Sequence, residues 1–455
     1  MINRMVVCRY CSAFLFLLIL SNLPVSTTSF SFLIIGGNGK IGTAVASHLL
    51  LKLPSDDQNS IILAGRDEQK CRDAVKEVMK EHPDLNIKNK VVSYKVLDWK
   101  DTASLKQAIN DSMCDCIIHT AGPYLNERPT ILKASIESST VSVYIDVSDP
   151  LDFISESLDM NTAAQISNTS CLLSAGAFPG LSNVLAIEAA NEIENQVKDV
   201  KFNYFTAGLG GSGDVNLYIT NLGFGEPMVL YENGKLTSFN KLSGSLLEEP
   251  VYFHMNEEME KRSSMIKGFG NDKARLKMKG KPKKVFAWPF PEGATVPKEL
   301  QVTGDSFVAM GTAPDIWNDM LGLLVKLIPY EWWRNERFSK FLADFSNPLV
   351  KATDALLKIS SDDNVGETHA MRIDVTSNLK EEAVSSVIQV HESFRRCVGQ
   401  SCAEFAMDLL KYPSPGVSLP EKRYRDDKAR SRIIPKLTST PGTVAFVQTV
   451  NSNDK

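Results

Sequence analysis

The chain reads as an α/β protein: a doubly wound parallel sheet followed by a second, mixed α+β domain. Three observations carry this reading. Ser31 to Gly42 (SFLIIGGNGKIG) runs from an apolar strand through closely spaced glycines into a helix. Strand-like and helix-like segments then alternate as far as about Glu194. After Asp199 the texture changes to short strand-like runs separated by glycines.

Each element can be justified in turn. Phe32–Ile35 is a short apolar run of the kind that forms a buried strand. Gly37, Gly39 and Gly42 fit G-x-G-x-x-G, with Gly36 as an extra, and Thr43–Lys52 continues as a helix. Strand, glycine turn and helix in this order are the context in which the motif means dinucleotide binding of the Rossmann type. The turn Gly36, Gly37, Asn38, Gly39, Lys40, Ile41 and Gly42 is therefore the expected pyrophosphate site, its anion facing the helix N-terminus.

Further strands are expected at 61–64, 91–97, 116–120, 143–147 and 171–175, with helices at 67–81, 101–110, 128–138, 150–166 and about 180–194. Such alternation implies right-handed crossovers and a ligand crevice at the strand C-terminal ends.

Past Asp199, strands are expected at 200–207, 216–220 and 228–231, with a hairpin through Asn233-Gly234. Residues 367–375 and 384–391 read as long alternating strands, neighbours in an antiparallel sheet. Between them, Asp315 to about Leu357 is helical and rich in Trp317, Leu323, Leu324, Leu327, Trp332, Trp333 and Phe341. Core packing is the favoured role for these side chains and lipid contact the alternative. A last helix is expected over 403–410. The domain boundaries are a leader at 1–29, the nucleotide domain at 30–197, the second domain at 198–394 and a C-terminal helix and tail at 395–455.

Apolar residues make up 43% of the chain and charged residues 23%, an ordinary globular balance. The formal charge of −4 argues against nucleic acid as a partner. The basic run KARLKMKGKPKK at 273–284 reads as a solvated edge or loop, with an anionic surface as the alternative. Eight cysteines at 8, 11, 71, 114, 116, 171, 397 and 402 show no metal spacing and no disulfide framework. Arg4 and Arg9 precede the apolar stretch Cys11–Leu20 and small polar residues through Ser29, the layout of a secretory signal peptide.

Candidate site residues follow from position. Arg66 closes the second strand, where a guanidinium suits the 2′-phosphate of NADP. Asp67 would restore an NAD preference if it faced the ribose instead, so NADP ranks ahead of NAD. Asp98 ends the third strand, either beside adenine or capping the next helix. Ala121 and Gly122 lie in the loop over the nicotinamide half of the cofactor. Tyr124 and Asp146 are the candidate proton donors, with a positioning role favoured over catalysis for each. His119 is read as a core histidine. Tyr231 and Lys235 match Tyr-x-x-x-Lys, but the intervening Asn-Gly favours a hairpin over the helical turn that device needs.

Together these pieces resemble the saccharopine dehydrogenase-like family, most closely its poorly characterised members from photosynthetic organisms. The matching segments are GGNGKIG at 36–42, LAGR at 63–66, HTAGPY at 119–124, YIDVSD at 144–149, AGAFPGLSN at 175–183, FTAGLGGSGDVN at 205–216, GTAPDIWN at 311–318, HAMRIDV at 369–375 and VGQSCAEFAMDLLKYPSPGVSLPE at 398–421.

The resemblance implies an NAD(P)-binding Rossmann domain, a second α/β domain and a C-terminal helix that returns to the nucleotide domain. It also implies hydride transfer to or from an imine or other C=X bond of a small molecule. In such enzymes cationic side chains hold substrate carboxylates, and Arg372, Arg395 and Arg396 are available here. A homodimer and a peripheral membrane contact are the remaining partner expectations. The leader implies entry to the secretory route, with plastid or endoplasmic reticulum as the open destinations.

Overall fold

A computed structural model describes residues 29–451 apart from 55–57, 84–89, 195, 208–214, 248, 271, 273, 274, 276, 277, 279, 360–366 and 379–382. Residues 1–28 of the leader, the glycine-rich 208–214 stretch and much of the basic run therefore lie outside the described residues.

The first sheet is built from Ser31–Ile35 (β1), Asn59–Gly65 (β2), Lys90–Val96 (β3), Cys116–His119 (β4), Val143–Asp146 (β5) and Ser170–Leu172 (β6). Its strands are all parallel. Helices Lys40–Lys52, Glu68–Glu81, Thr102–Ser112 and Thr130–Ile136 connect them in alternation. The expected single helix at 150–166 is instead two, Leu151–Leu158 and Asn161–Ile166, separated by Asp159 and Met160.

The second domain contributes Val197–Ala207 (β7), a hairpin of Met228–Glu232 (β8) and Lys235–Phe239 (β9), then Ser263–Phe269 (β10), Phe286–Ala287 (β11), Ser306–Ala313 (β12), His369–Ser377 (β13) and Val384–His391 (β14). The C-terminal segment adds Gly416–Ser418 (β15) and Thr443–Asn451 (β16). The first sheet has the order β15-β6-β5-β4-β1-β2-β3 and the second β10-β16-β14-β13-β7-β12-β11. In the second sheet only β7 and β12 pair in parallel.

Asn233 and Gly234, with φ of 50° and 72°, make the hairpin turn, so Tyr231 and Lys235 face each other's strands rather than share a helical turn. The stretch expected as a strand at 216–220 is a helix, Val215–Gly223. Its run of Leu, Tyr, Ile and Thr favours a strand locally, but Leu217, Thr220, Asn221 and Phe224 recur at helical spacing and face one cavity.

The C-terminal chain splits between the two sheets. The helix expected over 403–410 is longer, Phe394–Lys411, and lies along the Lys40–Lys52 helix. β15 extends the first sheet, whereas β16 inserts between β10 and β14 of the second. The C-terminal helix and β15 thus pack on the nucleotide domain, and β16 joins the second sheet.

The Leu181–Asn191 helix is buried on nearly every side and shares one core with β1, β7, β13 and the Phe394–Lys411 helix. Its buried polar residues Ser182 and Asn183 are hydrogen-bonded, as an interior requires, and the helix sits between the sheets.

The aromatic helices behave differently from the core reading. They are Asp315–Leu327, Tyr330–Trp333 and Glu336–Ile359. Trp333 is buried, but Leu323, Leu327, Trp332 and Phe341 are exposed at 55%, 70%, 55% and 65%, together with Ile316, Phe345 and Leu349. Among the described residues no helix is long and apolar enough to cross a membrane. Of the basic run, Lys283 is buried, its amine over the Phe205 ring, and Lys284 pairs with Asp319 at 2.7 Å.

The contact between the Phe394–Lys411 and Lys40–Lys52 helices turns on Gly399. A Cβ there would lie 2.7 Å from the Ala44 Cβ and 2.8 Å from the Val45 nitrogen. Beside it, buried His48 and Glu404 meet at 2.8 Å. Helix propensity alone favours alanine over glycine, so Gly399→Ala separates the two effects. The variant is expected to lose about 1–3 kcal/mol in chemical denaturation, the cost of overpacking; a gain in stability would contradict this packing.

Candidate functional site

β1 lies between β2 and β4, and the chain leaves it in opposite directions on the two sides. That reversal opens a crevice at the strand C-terminal ends, where α/β sheets take their ligands. The glycine turn fills its floor. Gly36 has φ +84°, and a Cβ on it would fall 2.6 Å from the Ala121 nitrogen. A Cβ on Gly37 would meet the Ile34 oxygen and Leu63 Cα at 2.8 Å, and one on Gly42 would meet the Gly36 oxygen at 2.5 Å. Gly39 is less crowded and serves as the extended N-cap residue of the Lys40–Lys52 helix.

No side chain caps that helix. Its first-turn N–H groups, at Lys40, Ile41 and Gly42, have no intrahelical carbonyl to bond, and they carry the positive end of the helix dipole. Lys40 is exposed and 3.7 Å from Glu77. Backbone approach, open amides and dipole together fit the pyrophosphate of a dinucleotide.

The end of β2 is organised by a residue whose role the motif does not reveal. A Cβ on Gly65 would collide with the side-chain amide of Asn38. Gly65 therefore lets Asn38 lie across the strand end, next to Arg66. Arg66 is exposed, and no hydrogen bond or ion pair is recorded for it among the described residues. Asp67 is committed elsewhere: its Oδ1 accepts the Lys70 N–H at 3.0 Å as the N-cap of the next helix. Asp98 accepts the Lys100 N–H at 3.2 Å, and the helix beyond it is capped by Asp101 rather than by Asp98.

Ala121 and Gly122 follow β4, half-buried and exposed respectively, directly beside the glycine turn. The proton-donor roles expected for Tyr124 and Asp146 do not match their surroundings. The Tyr124 hydroxyl is buried, donates to the His119 carbonyl at 2.6 Å and accepts from the Val147 N–H at 3.4 Å. Burial, with Asp146 nearby, raises its pKa well above the usual phenol value.

Asp146 is fully buried. Its Oδ1 accepts from the Ser148 N–H, the Ser148 hydroxyl and the Ser174 N–H at 3.1, 2.7 and 2.8 Å, and its Oδ2 from the Tyr144 hydroxyl at 3.1 Å. Both residues tie the loops after β4, β5 and β6 together, which is a positioning role. His119 is a core residue bonded to the Tyr144 hydroxyl at 3.1 Å, and burial pushes its pKa down to about 3.

The joint between the domains holds a cluster that spacing alone did not reveal. Phe178, in the loop after β6, stacks on Tyr204 of β7 at 4.2 Å and contacts Phe290, His369 and Phe394. The Tyr204 hydroxyl donates to Glu292 Oε1 at 2.5 Å. Asn183 donates to Glu421 Oε2 at 2.8 Å.

Burial raises Glu292 to about 8, Asp149 to about 6 and Glu421 upward, and the nearby Glu421 and Asp149 add to the Glu292 shift. Of these, Glu292 is the one raised past neutral pH. The legible signal was a carboxylate within an apolar stretch, as in Trp288-Pro-Phe-Pro-Glu292 and Ser418-Leu-Pro-Glu421.

The arginines considered for substrate carboxylates are engaged elsewhere. Arg372 pairs with Asp374 at 2.9 Å on the face of β13 opposite His369 and Met371. Arg395 pairs with Glu367 at 3.2 Å, and Arg396 donates to the Pro441 carbonyl. They form no cationic cluster over the crevice.

Comparison with known proteins agrees with the first domain. Residues 32–127 match the profile of a family described as polysaccharide biosynthesis protein. No curated protein matches the chain. Among solved structures the chain is similar to Pen from Bacillus thuringiensis, at 17% identity and TM-score 0.26, covering 39% of this chain and 59% of that one. The alignment thus spans about three fifths of the Pen chain.

Two matches run nearly end to end. A meso-dapdh variant from Clostridium tetani, solved with DAP, is 12% identical, with 88% of this chain and 97% of that one covered and a TM-score of 0.40. A probable dehydrogenase from Thermotoga maritima is 11% identical, with coverage of 90% and 94% and a TM-score of 0.37.

The acid cluster at the joint has a pH signature. Glu292 titrates near 4.5 when exposed and near 8 in the folded protein. The native state therefore holds more protons than the unfolded state between those values, and stability falls as pH rises through that window. The thermal midpoint should be higher at pH 5 than at pH 8.5, and Glu292→Gln should flatten the difference; an unchanged slope in the variant would contradict the assignment.

Proposed function

We propose that the chain is an NADP-dependent oxidoreductase of the saccharopine dehydrogenase-like type. It moves a hydride to or from a C=X bond, such as an imine, of a small or lipophilic substrate held between the two domains. The observation that carries the reading is the glycine turn at the β1/β4 reversal, closed to backbone contact and facing uncapped amides, with an unpaired arginine at the end of β2.

When bound, the cofactor supplies or accepts the hydride. On this reading Gly36 to Gly42 hold the pyrophosphate and Arg66 holds the 2′-phosphate. Asp98 lies on the adenine side, and Ala121 and Gly122 border the nicotinamide side. NAD ranks second because Asp67, the acid that would bind an unphosphorylated ribose, is spent on its helix cap. The leader at 1–29 is assigned to secretory-route entry.

A second reading, peripheral contact with lipid, is favoured by one observation: the exposed apolar side chains of Ile316, Leu323, Leu327, Trp332, Phe341, Phe345 and Leu349 on neighbouring helices. A contiguous apolar patch rimmed by polar residues marks an interaction surface.

Two outcomes test these readings. Arg66→Ala should weaken NADPH binding about tenfold or more, the scale of a lost charge-assisted contact, with much less effect on NADH; equal losses would remove Arg66 from the phosphate role. The full chain should float with phosphatidylcholine vesicles, and Trp332→Ser combined with Phe341→Ser and Phe345→Ser should abolish flotation. Vesicle binding that survives this triple change would refute contact through the patch.

A further inference from the structure

The second domain holds a partly open cavity of about 100 Å³ between one face of its sheet and the helices Val215–Gly223, Asp315–Leu327 and Glu336–Ile359. Its walls include Phe224, Phe286, Trp288, Trp317, Leu324 and Leu342, and among the described residues no charged side chain lines it. Its amides are already occupied. Asn318 is bonded at both ends to the Thr312 backbone, at 3.0 and 2.7 Å, and Asn221 donates to the Ser339 carbonyl at 3.0 Å. A carboxylate or phosphate entering this space would lose its hydration with no cation to replace it. A hydrocarbon group would lose nothing. The volume is of the order of the roughly 150 Å³ apolar cavity that stays dry and admits benzene.

Placement links the cavity to the cleft. Thr206 and Thr312, register partners on β7 and β12, line it. Tyr204, two residues before Thr206 on the same sheet face, stacks on Phe178 of the nucleotide domain. Trp288 reaches the same joint through Phe290, at 6.2 Å and then 5.3 Å between ring centroids. The Glu336–Ile359 helix meets the loop after β4, where Asn126 donates to Glu336 at 2.6 Å. A helix that walls the cavity therefore also touches the loop that carries Ala121 and Gly122.

We propose that this cavity is a binding subsite for an uncharged hydrocarbon group of about ring size, the apolar end of the substrate. Assignment to the substrate rests on the oxidoreductase reading; the binding of hydrocarbon does not. A doubly charged amino-acid substrate has no seat here, which sets the chain apart from amino-acid chemistry in this part of the cleft.

The test uses the full chain and fluorobenzene, followed by fluorine NMR, with 4-fluorobenzoate as the charged control. Saturable fluorobenzene binding is expected, with none for the benzoate. Ser346→Leu and Leu324→Phe each add bulk to the wall and should weaken binding about tenfold or more, with NADPH binding unchanged. Overhauser contacts in the unaltered chain need no variant: they should fall on the Trp288 and Trp317 indoles.

Equal binding of the benzoate, affinity that survives both wall variants in folded protein, or contacts confined to exposed Trp332 would overturn the subsite. Hydrocarbon bound by a chain that binds no nicotinamide cofactor would instead overturn the oxidoreductase reading and leave the subsite standing.

Discussion

Where the Gly36 backbone rests against Thr120 and Ala121, β1 and β4 diverge with no side chain between them. Much else follows from that closeness. It lets the Lys40–Lys52 helix begin directly above the turn, with its first amides uncapped and pointing into the crevice. It brings the loop after β4 alongside the glycines, so a nucleotide bound at the glycines would share a wall with that loop. It also fixes the face of the helix on which Ala44 and Val45 lie, and Gly399 of the Phe394–Lys411 helix closes on that face. A Cβ at Gly36 would push apart the loop and the strand end together.

The second constraint is the shared core. Phe178, Tyr204 and the buried Leu181–Asn191 helix join the sheets, and the C-terminal chain gives one strand to each. Domains that share a core and exchange strands do not hinge freely, in contrast to domains joined by a small polar interface. The cleft is correspondingly a built wall. On one side stand the loop ties made by Asp146 and Tyr124; on the other stand the protonated Glu292 and the apolar cavity behind Trp288. Selection of a substrate by shape and lack of charge suits such a wall better than recognition by salt bridges.

The first domain was largely legible because its signals are local. Phe32–Ile35, Ile61–Ala64 and Cys116–His119 are apolar runs at βαβ spacing, and each forms a parallel strand. The second domain was legible where alternation ran long, as in β13 and β14, and where the Asn233-Gly234 turn marked a hairpin. Residues 216–220 were misread because β-branched and aromatic residues outvoted a weak helical period. The site shows the same division. The glycine positions follow from backbone sterics written into the motif. The roles of Gly65, Gly399, Glu292 and Glu421 depend on neighbours far along the chain, which spacing cannot reveal. Tyr124 and Asp146 were candidate proton donors with a positioning role favoured, and their burial and hydrogen bonds suit that role.

Titration of the full chain with NADPH and with NADH, followed by nicotinamide fluorescence, tests the central claim most directly. The account predicts saturable binding of both, with NADPH bound about tenfold or more tightly because Arg66 meets the extra phosphate. Failure of both nucleotides to bind would contradict it.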